Sequence, residues 1–136
     1  EKEKKLAEKL KETESFLLNN KNNNPDIVET PSGLQYRIIK KGTGRTPKRK
    51  SKVKVNYSGP FFNLDQYNSY TNEGRMGELE TDKLIDGWKE GMLLMKEGGE
   101  FEFFIHPKLG YGRQGRRGVP GNALLIFKVK LIEILG

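Results

Sequence analysis

The sequence predicts an α+β fold: an antiparallel sheet of about five strands wrapped over one short helix, with a further helix appended at the N-terminus. Three observations predict it. Four stretches read as strands, three of them by apolar residues alternating with polar ones at the period of a half-buried strand. One stretch between them, Leu84 to Met95, repeats at helical spacing and holds the only tryptophan. The first 21 residues are densely charged and free of glycine and proline, which suits a helix.

In chain order, Leu6, Leu10, Thr13 and Leu17 repeat at the spacing of a narrow helical seam, of the kind that pairs with another helix. So little apolar surface cannot hold a helix by itself, so residues 1–24 read as a charged helix that is either frayed and solvated, a dimerisation segment, or a fragment of a larger helical part. Asn19 to Pro25 stops it, because asparagine favours turns and proline disfavours helix at the residue before it. Residues 25–31 read as an extended linker, and 32–136 as the folded domain.

Within that domain, Leu34 to Ile39 is a strand bounded by Gly33 and by Gly42-Thr43-Gly44. A basic turn follows. Val53, Val55 and Tyr57 then alternate with Lys52, Lys54 and Asn56. Gly59 to Lys83 is the least regular region. Ile85, Trp88, Met92 and Met95 next share one face of a helix that Asp86 is expected to cap and Gly98-Gly99 to end. Phe101, Phe103 and Ile105 form a strand face, Lys108 to Asn122 is a loop with five glycines, and Leu125, Phe127, Val129 and Leu131 form the last strand face.

Composition excludes much chemistry. The 136 residues contain no cysteine and one histidine, which removes thiolate nucleophiles, disulfides and most zinc sites. His106, just before Pro107, reads as structural or exposed. The glycine pairs at Gly42/Gly44 and Gly110/Gly112 lack the Lys-Ser/Thr of a phosphate loop and read as turns. No run of about 18 apolar residues offers a membrane span. Neither a metal site nor a cofactor is expected. The net charge is +7, and Lys40 to Lys54 carries eight basic residues and no acid. Its sharp reading is a patch for nucleic acid or another acidic surface. The strand alternation there favours a solvated hairpin with lysines pointing outward, so no nucleic-acid partner is expected. What remains is a set of aromatics, Tyr57, Tyr67, Trp88, Tyr111 and Phe127, that can line either a core or a pocket.

Four motifs decide between these, in order along the chain. They are Ser32-Gly33-Leu34-Gln35-Tyr36 with Gly42-Thr43-Gly44; Val53-Lys54-Val55-Asn56-Tyr57-Ser58-Gly59; Leu84-Ile85-Asp86-Gly87-Trp88-Lys89-Glu90-Gly91; and Pro107-Lys108-Leu109-Gly110-Tyr111-Gly112 with Val119-Pro120-Gly121-Asn122-Ala123 and Leu125-Ile126-Phe127. Together they resemble the FK506-binding-protein family of peptidyl-prolyl cis–trans isomerases, over about residues 31–135. Phe16-Leu17 and the Asn-rich junction are similar to the macrophage-infectivity-potentiator branch, in which an N-terminal helical part dimerises.

The resemblance implies rotation about Xaa–Pro bonds in proline-containing peptides and unfolded chains, and so assistance to folding. It implies Trp88 as pocket floor, Tyr57, Tyr67 and Phe127 as walls, and Leu79, Leu84 and Val119 as further substrate contacts. Ile85 would offer its backbone N–H and Tyr111 its hydroxyl to substrate carbonyls. Asn68 stands where the family has an aspartate beside the wall tyrosines, which implies weaker catalysis. A non-catalytic proline-peptide-binding or chaperone module of the same fold is the alternative. The resemblance further implies a macrolide ligand of the FK506 or rapamycin type, a homodimer through the N-terminal helix, and a periplasmic or cell-envelope location.

Overall fold

α1 runs from Lys2 to Asn23, four residues past Asn19 where it was expected to begin to stop, because Asn20 is tied to Gln35 and Asn24 donates back to the Asn20 carbonyl. A computed structural model describes residues 1–71 and 73–136. Asn72, inside the stretch expected to be irregular, lies outside them. After α1 come β1 (Val28–Glu29), β2 (Gln35–Lys40), β3 (Lys52–Phe61), α2 (Leu64–Ser69), β4 (Arg75–Glu80), α3 (Asp86–Met92), β5 (Glu100–Ile105) and β6 (Leu125–Ile134). The six strands form one sheet in the order β1-β2-β5-β6-β3-β4, and every pairing is antiparallel.

The sheet is covered on both faces. Phe103 pairs with Phe127 across β5 and β6, and Phe104 pairs with Ile126. Successive residues of a strand point to opposite faces. Phe103 and Phe127 therefore join Trp88, Met92 and Met95 in the core beneath α3. Phe104 and Ile126 join Leu17 of α1, Ile27, Phe61 and Leu124 on the other face. β5 is buried along almost its whole length for this reason.

α3 reaches the sheet through two glycines one helical turn apart. A Cβ at Gly87 would come within 2.9 Å of the Ile105 side chain, and one at Gly91 within 2.6 Å of the Phe103 ring. Bare backbone there lets the helix lie on β5, which sets the depth of Trp88. The helix is shorter than expected. Ile85 occupies the cap position without a side-chain hydrogen bond, and Asp86 is already helical, facing Lys89 at 3.7 Å. The chain leaves the helix at Leu93. Gly98, at φ +86°, serves the turn into β5 and not the helix end.

Two strands lie where none was expected. β4 was hidden because Gly77 occupies one of its inward positions and breaks the apolar alternation. β1 lies inside the stretch read as linker and pairs only with β2.

Part of the α1 seam packs against the chain's own sheet and against the loop before β6. Leu17 is buried, and Thr13 Oγ1 donates to the Asn122 carbonyl at 2.9 Å. Asn20 Nδ2 donates to Gln35 Oε1 at 3.0 Å, and Gln35 Nε2 donates to the Leu17 carbonyl at 2.8 Å. Asn122 Nδ2 donates to the Leu6 carbonyl at 2.9 Å. No helix among the described residues is long and apolar enough to cross a membrane.

Candidate active site

The N-terminus of α3, the second half of β3, β4, the start of β6 and the glycine-rich loop between β5 and β6 converge on one cleft of about 350 Å3. Trp88 lies at its base and is 5% exposed. Two rings meet it edge-on: Tyr57 from β3 at 5.4 Å between centroids and 87°, and Phe127 from β6 at 5.3 Å and 85°. Edge-to-face contact directs the positive rim of one ring at the negative face of another, which fixes the indole plane. Leu79 from β4 and Leu84 and Ile85 ahead of α3 complete the apolar lining.

Two polar donors stand at the mouth. Ile85 has extended backbone (φ −62°, ψ 156°), and its carbonyl receives the N–H groups of Trp88 and Lys89 at 3.0 Å. Its own N–H has no hydrogen-bond partner among the described residues. Tyr111 sits in the loop after β5, where its hydroxyl oxygen accepts from Arg116 Nη1 at 3.3 Å. The phenolic proton is left free to be donated.

Seven of the residues named from sequence thus surround one cleft: Tyr57, Leu79, Leu84, Ile85, Trp88, Tyr111 and Phe127. Three do not. Tyr67 lies on α2, packs against Phe61 with centroids 5.5 Å apart, and donates its hydroxyl to Glu102. Burial raises the Tyr67 phenol above its usual range, and the Glu102 carboxylate adds to the rise. The other Glu102 oxygen faces the Arg37 guanidinium, so this trio is a structural brace around a buried carboxylate. Asn68 is exposed in a second, more polar cleft, which Tyr57 and Tyr67 also line, and it makes no hydrogen bond to Tyr57. Val119 packs against the core beneath α3 without lining the cleft. α2 explains the first two. It turns the segment after β3 away from Trp88, with Asn63 Oδ1 accepting from the Gln66 N–H at 2.9 Å to start the helix.

Sequence reading missed Gly59, Pro60, Arg75, Lys83 and Arg116, which also line the cleft. Arg75 and Lys83 fall in the stretch whose strand was hidden. A basic glycine-rich loop was the available signal for Arg116. His106 is structural: its Nδ1 accepts from the Lys108 N–H at 3.0 Å, so Nε2 carries the proton toward Glu14 Oε2 at 2.9 Å.

A sheet wrapped over a short helix thus carries an indole-floored cleft with two hydrogen-bond donors, a backbone N–H and a phenol, in its lining. Residues 43–132 match the family model described as FKBP-type peptidyl-prolyl cis-trans isomerase, and residues 1–38 match the domain amino terminal to it. The chain belongs to the FKBP-type peptidyl-prolyl cis-trans isomerase family. It is similar to the peptidyl-prolyl cis-trans isomerase Mip of Chlamydia muridarum, at 41% identity over 96% of this chain and 53% of that protein. It is similar to the outer membrane protein MIP of Legionella longbeachae, at 37% identity over 96% of this chain and 56% of that protein. Among solved structures it resembles FkpA from Escherichia coli, with a TM-score of 0.83 and 26% identity, covering 98% of this chain and 62% of that one. The chain spans about half the length of the curated relatives it matches.

Proposed function

We propose that this chain catalyses cis–trans isomerisation of Xaa–Pro bonds in peptides and unfolded protein chains, and so assists folding. The observation that carries the proposal is the Trp88 cleft, walled edge-on by Tyr57 and Phe127, with the Ile85 N–H and the Tyr111 hydroxyl at its mouth.

Rotation about a peptide bond faces a barrier of about 18–20 kcal/mol, which comes from amide resonance. Proline lowers the cis penalty, so both isomers are populated and only their exchange is slow. No bond breaks, so the site has to bind the twisted amide better than the planar one. The planar amide is charge-separated and well solvated by water, whereas the twisted amide is less so. An apolar floor that takes the pyrrolidine ring and excludes water favours the twisted form. Tyr111 donates to the carbonyl of the residue preceding proline, and Ile85 N–H to the next carbonyl along the chain. These two bonds hold the peptide on either side of the ring while the bond between them turns.

A non-catalytic proline-binding module of the same fold is the second reading. It is favoured by one observation: no aspartate or glutamate lines the cleft. Exchange of a short Leu-Pro peptide, followed by NMR with and without the chain, separates the two. Acceleration supports the enzyme. Binding without acceleration supports the module.

The apolar cleft is also proposed to accept a macrolide of the FK506 type, in competition with peptide. A cell-envelope location is proposed from the name of the Legionella longbeachae relative. Self-association through the first two turns of α1, where Leu6 and Leu10 are only half-buried, is proposed in place of a dimer along the whole seam.

A further inference from the structure

The rim of the cleft is positively charged. Arg75 from β4 and Arg116 from the loop between β5 and β6 both line it, with Lys83 beside them, and no acidic residue does. Three arginines outside the cleft have carboxylate partners: Arg37 with Glu102, Arg45 with Glu97, Arg113 with Glu3. Among the described residues the two cleft arginines have none. Each lies instead over a ring of the cleft, Arg75 5.0 Å from the Tyr57 centroid and Arg116 5.1 Å from that of Tyr111. Arg75 donates one N–H to the Gly59 carbonyl at 3.3 Å, and Arg116 one to the Tyr111 hydroxyl at 3.3 Å. A guanidinium carries five N–H donors in a rigid fork, so each retains donors suited to an oxyanion. Both side chains are exposed, and the cation–π contact draws each toward its ring. Lys83 contributes less, since Glu80 faces it at 3.0 Å.

We propose that the cleft selects Xaa–Pro bonds in which Xaa carries an anionic side chain. The inference deepens the isomerase reading and rests on it. Its geometric basis is Arg116. That guanidinium is bonded to the hydroxyl assigned to the carbonyl of Xaa, so the side chain of Xaa leaves the backbone within reach of it. Arg75, stacked on the other wall, adds to the same field. A basic Xaa meets two unpaired cations and is disfavoured. The shared chemistry is an oxyanion next to proline, either the carboxylate of glutamate or aspartate or the phosphate of a phosphoserine.

The test uses the full chain and four peptides that differ only at Xaa: Glu, Gln, Lys and phosphoserine. Exchange rates are measured by NMR, and affinities from Trp88 emission. Exposed ion pairs are individually weak, so the two arginines together are expected to favour Glu over Gln by about three- to tenfold at low salt, with Lys lowest. The preference should fade as salt shortens the Debye length, to about 3 Å at 1 M. Arg116→Gln should bring the Glu-to-Gln ratio toward one. Arg113→Gln, which alters a loop arginine already paired with Glu3, should leave the ratio intact. A phosphoserine peptide faster than Glu identifies phosphate as the favoured source, and a slower one identifies carboxylate. Equal handling of Glu and Gln, with both isomerised, overturns the inference and leaves the isomerase standing. If no peptide is isomerised the enzyme reading fails, and the Glu-to-Gln affinity ratio still decides the selectivity. A ratio of one in binding overturns it there too.

Discussion

Trp88 is held by contacts that differ in kind, and substitutions should separate them. Phe127 is 4% exposed and serves both the core and the cleft wall. Phe127→Ala should therefore destabilise the fold by about 3–5 kcal/mol and cut turnover strongly. Tyr111 is only half-buried, and Tyr111→Phe removes one hydrogen bond worth about 1 kcal/mol. It should lower turnover several-fold with little change in stability. Chemical denaturation and peptide exchange measured on both variants check the ranking, and equal effects on stability would contradict it. Asn68 gives the opposite expectation. Its amide is exposed and does not reach Tyr57, so Asn68→Asp should change turnover by less than about twofold, because an exposed charge is well screened. A large gain would place that side chain at the reacting bond. Tyr57, Trp88 and Phe127 were legible from the inward phase of their strand or helix, whereas Leu79, Leu84 and the roles of Ile85 and Tyr111 came from the resemblance of the motifs. The orientation of Tyr67 and Asn68 was not legible. A short polar helix, started by Asn63, decides which way they face, and six residues with no buried side chain leave no periodic signal.

At the scale of elements, the pairing of α3 with β5 rests on two missing methyl groups. Gly91→Ala would place a Cβ 2.6 Å from the Phe103 ring, itself fully buried and unable to yield. Overpacking of this kind costs about 1–3 kcal/mol, and lifting α3 should also blunt the response of Trp88 emission to peptide. Thermal melts and a peptide titration of Gly91→Ala test both parts; wild-type behaviour in each would show that the helix has room to spare. α1 makes the matching contact on the opposite face. Leu17→Ala should cost about 2–3 kcal/mol, because the cluster of Ile27, Phe61, Phe104, Leu124 and Ile126 loses its cover. The docking also has an acid limit. Lys21 and Gln35 donate to the Glu29 carboxylate and hold its pKa below the ordinary 4.5. As pH falls the unfolded chain takes up this proton first, so the contribution is full above about 4.5 and fades below it. Melts of wild type and Glu29→Gln should differ at neutral pH and converge in acid. A difference that persists in acid would mean that the carboxylate charge is not what ties α1 down.

For the whole molecule, one fact explains both what the sequence conceals and what the fold achieves. The sheet is covered twice, by α3 beneath and by α1 above. Glu102 and Phe104 of β5, expected on a solvent face, are buried under the second layer. The seam of α1 was legible as apolar, but a seam does not name its partner, and here one partner, Asn122 against Thr13, is 109 residues further along the same chain. Two covered faces make the sheet a rigid frame, and a rigid frame is what a site acting by differential binding requires. The cleft opens on the α3 side only, between β3, β4 and the loop after β5. The central claim is that this cleft lowers the barrier to rotation of an Xaa–Pro bond and does not merely hold one isomer. The most direct measurement is the cis–trans exchange rate of a Leu-Pro peptide, read by NMR at substoichiometric chain, with Trp88 emission recording binding in the same sample. The account expects exchange to accelerate in proportion to chain concentration with the cis-to-trans ratio unchanged. Exchange that stays at the uncatalysed rate while emission reports a bound peptide would contradict it.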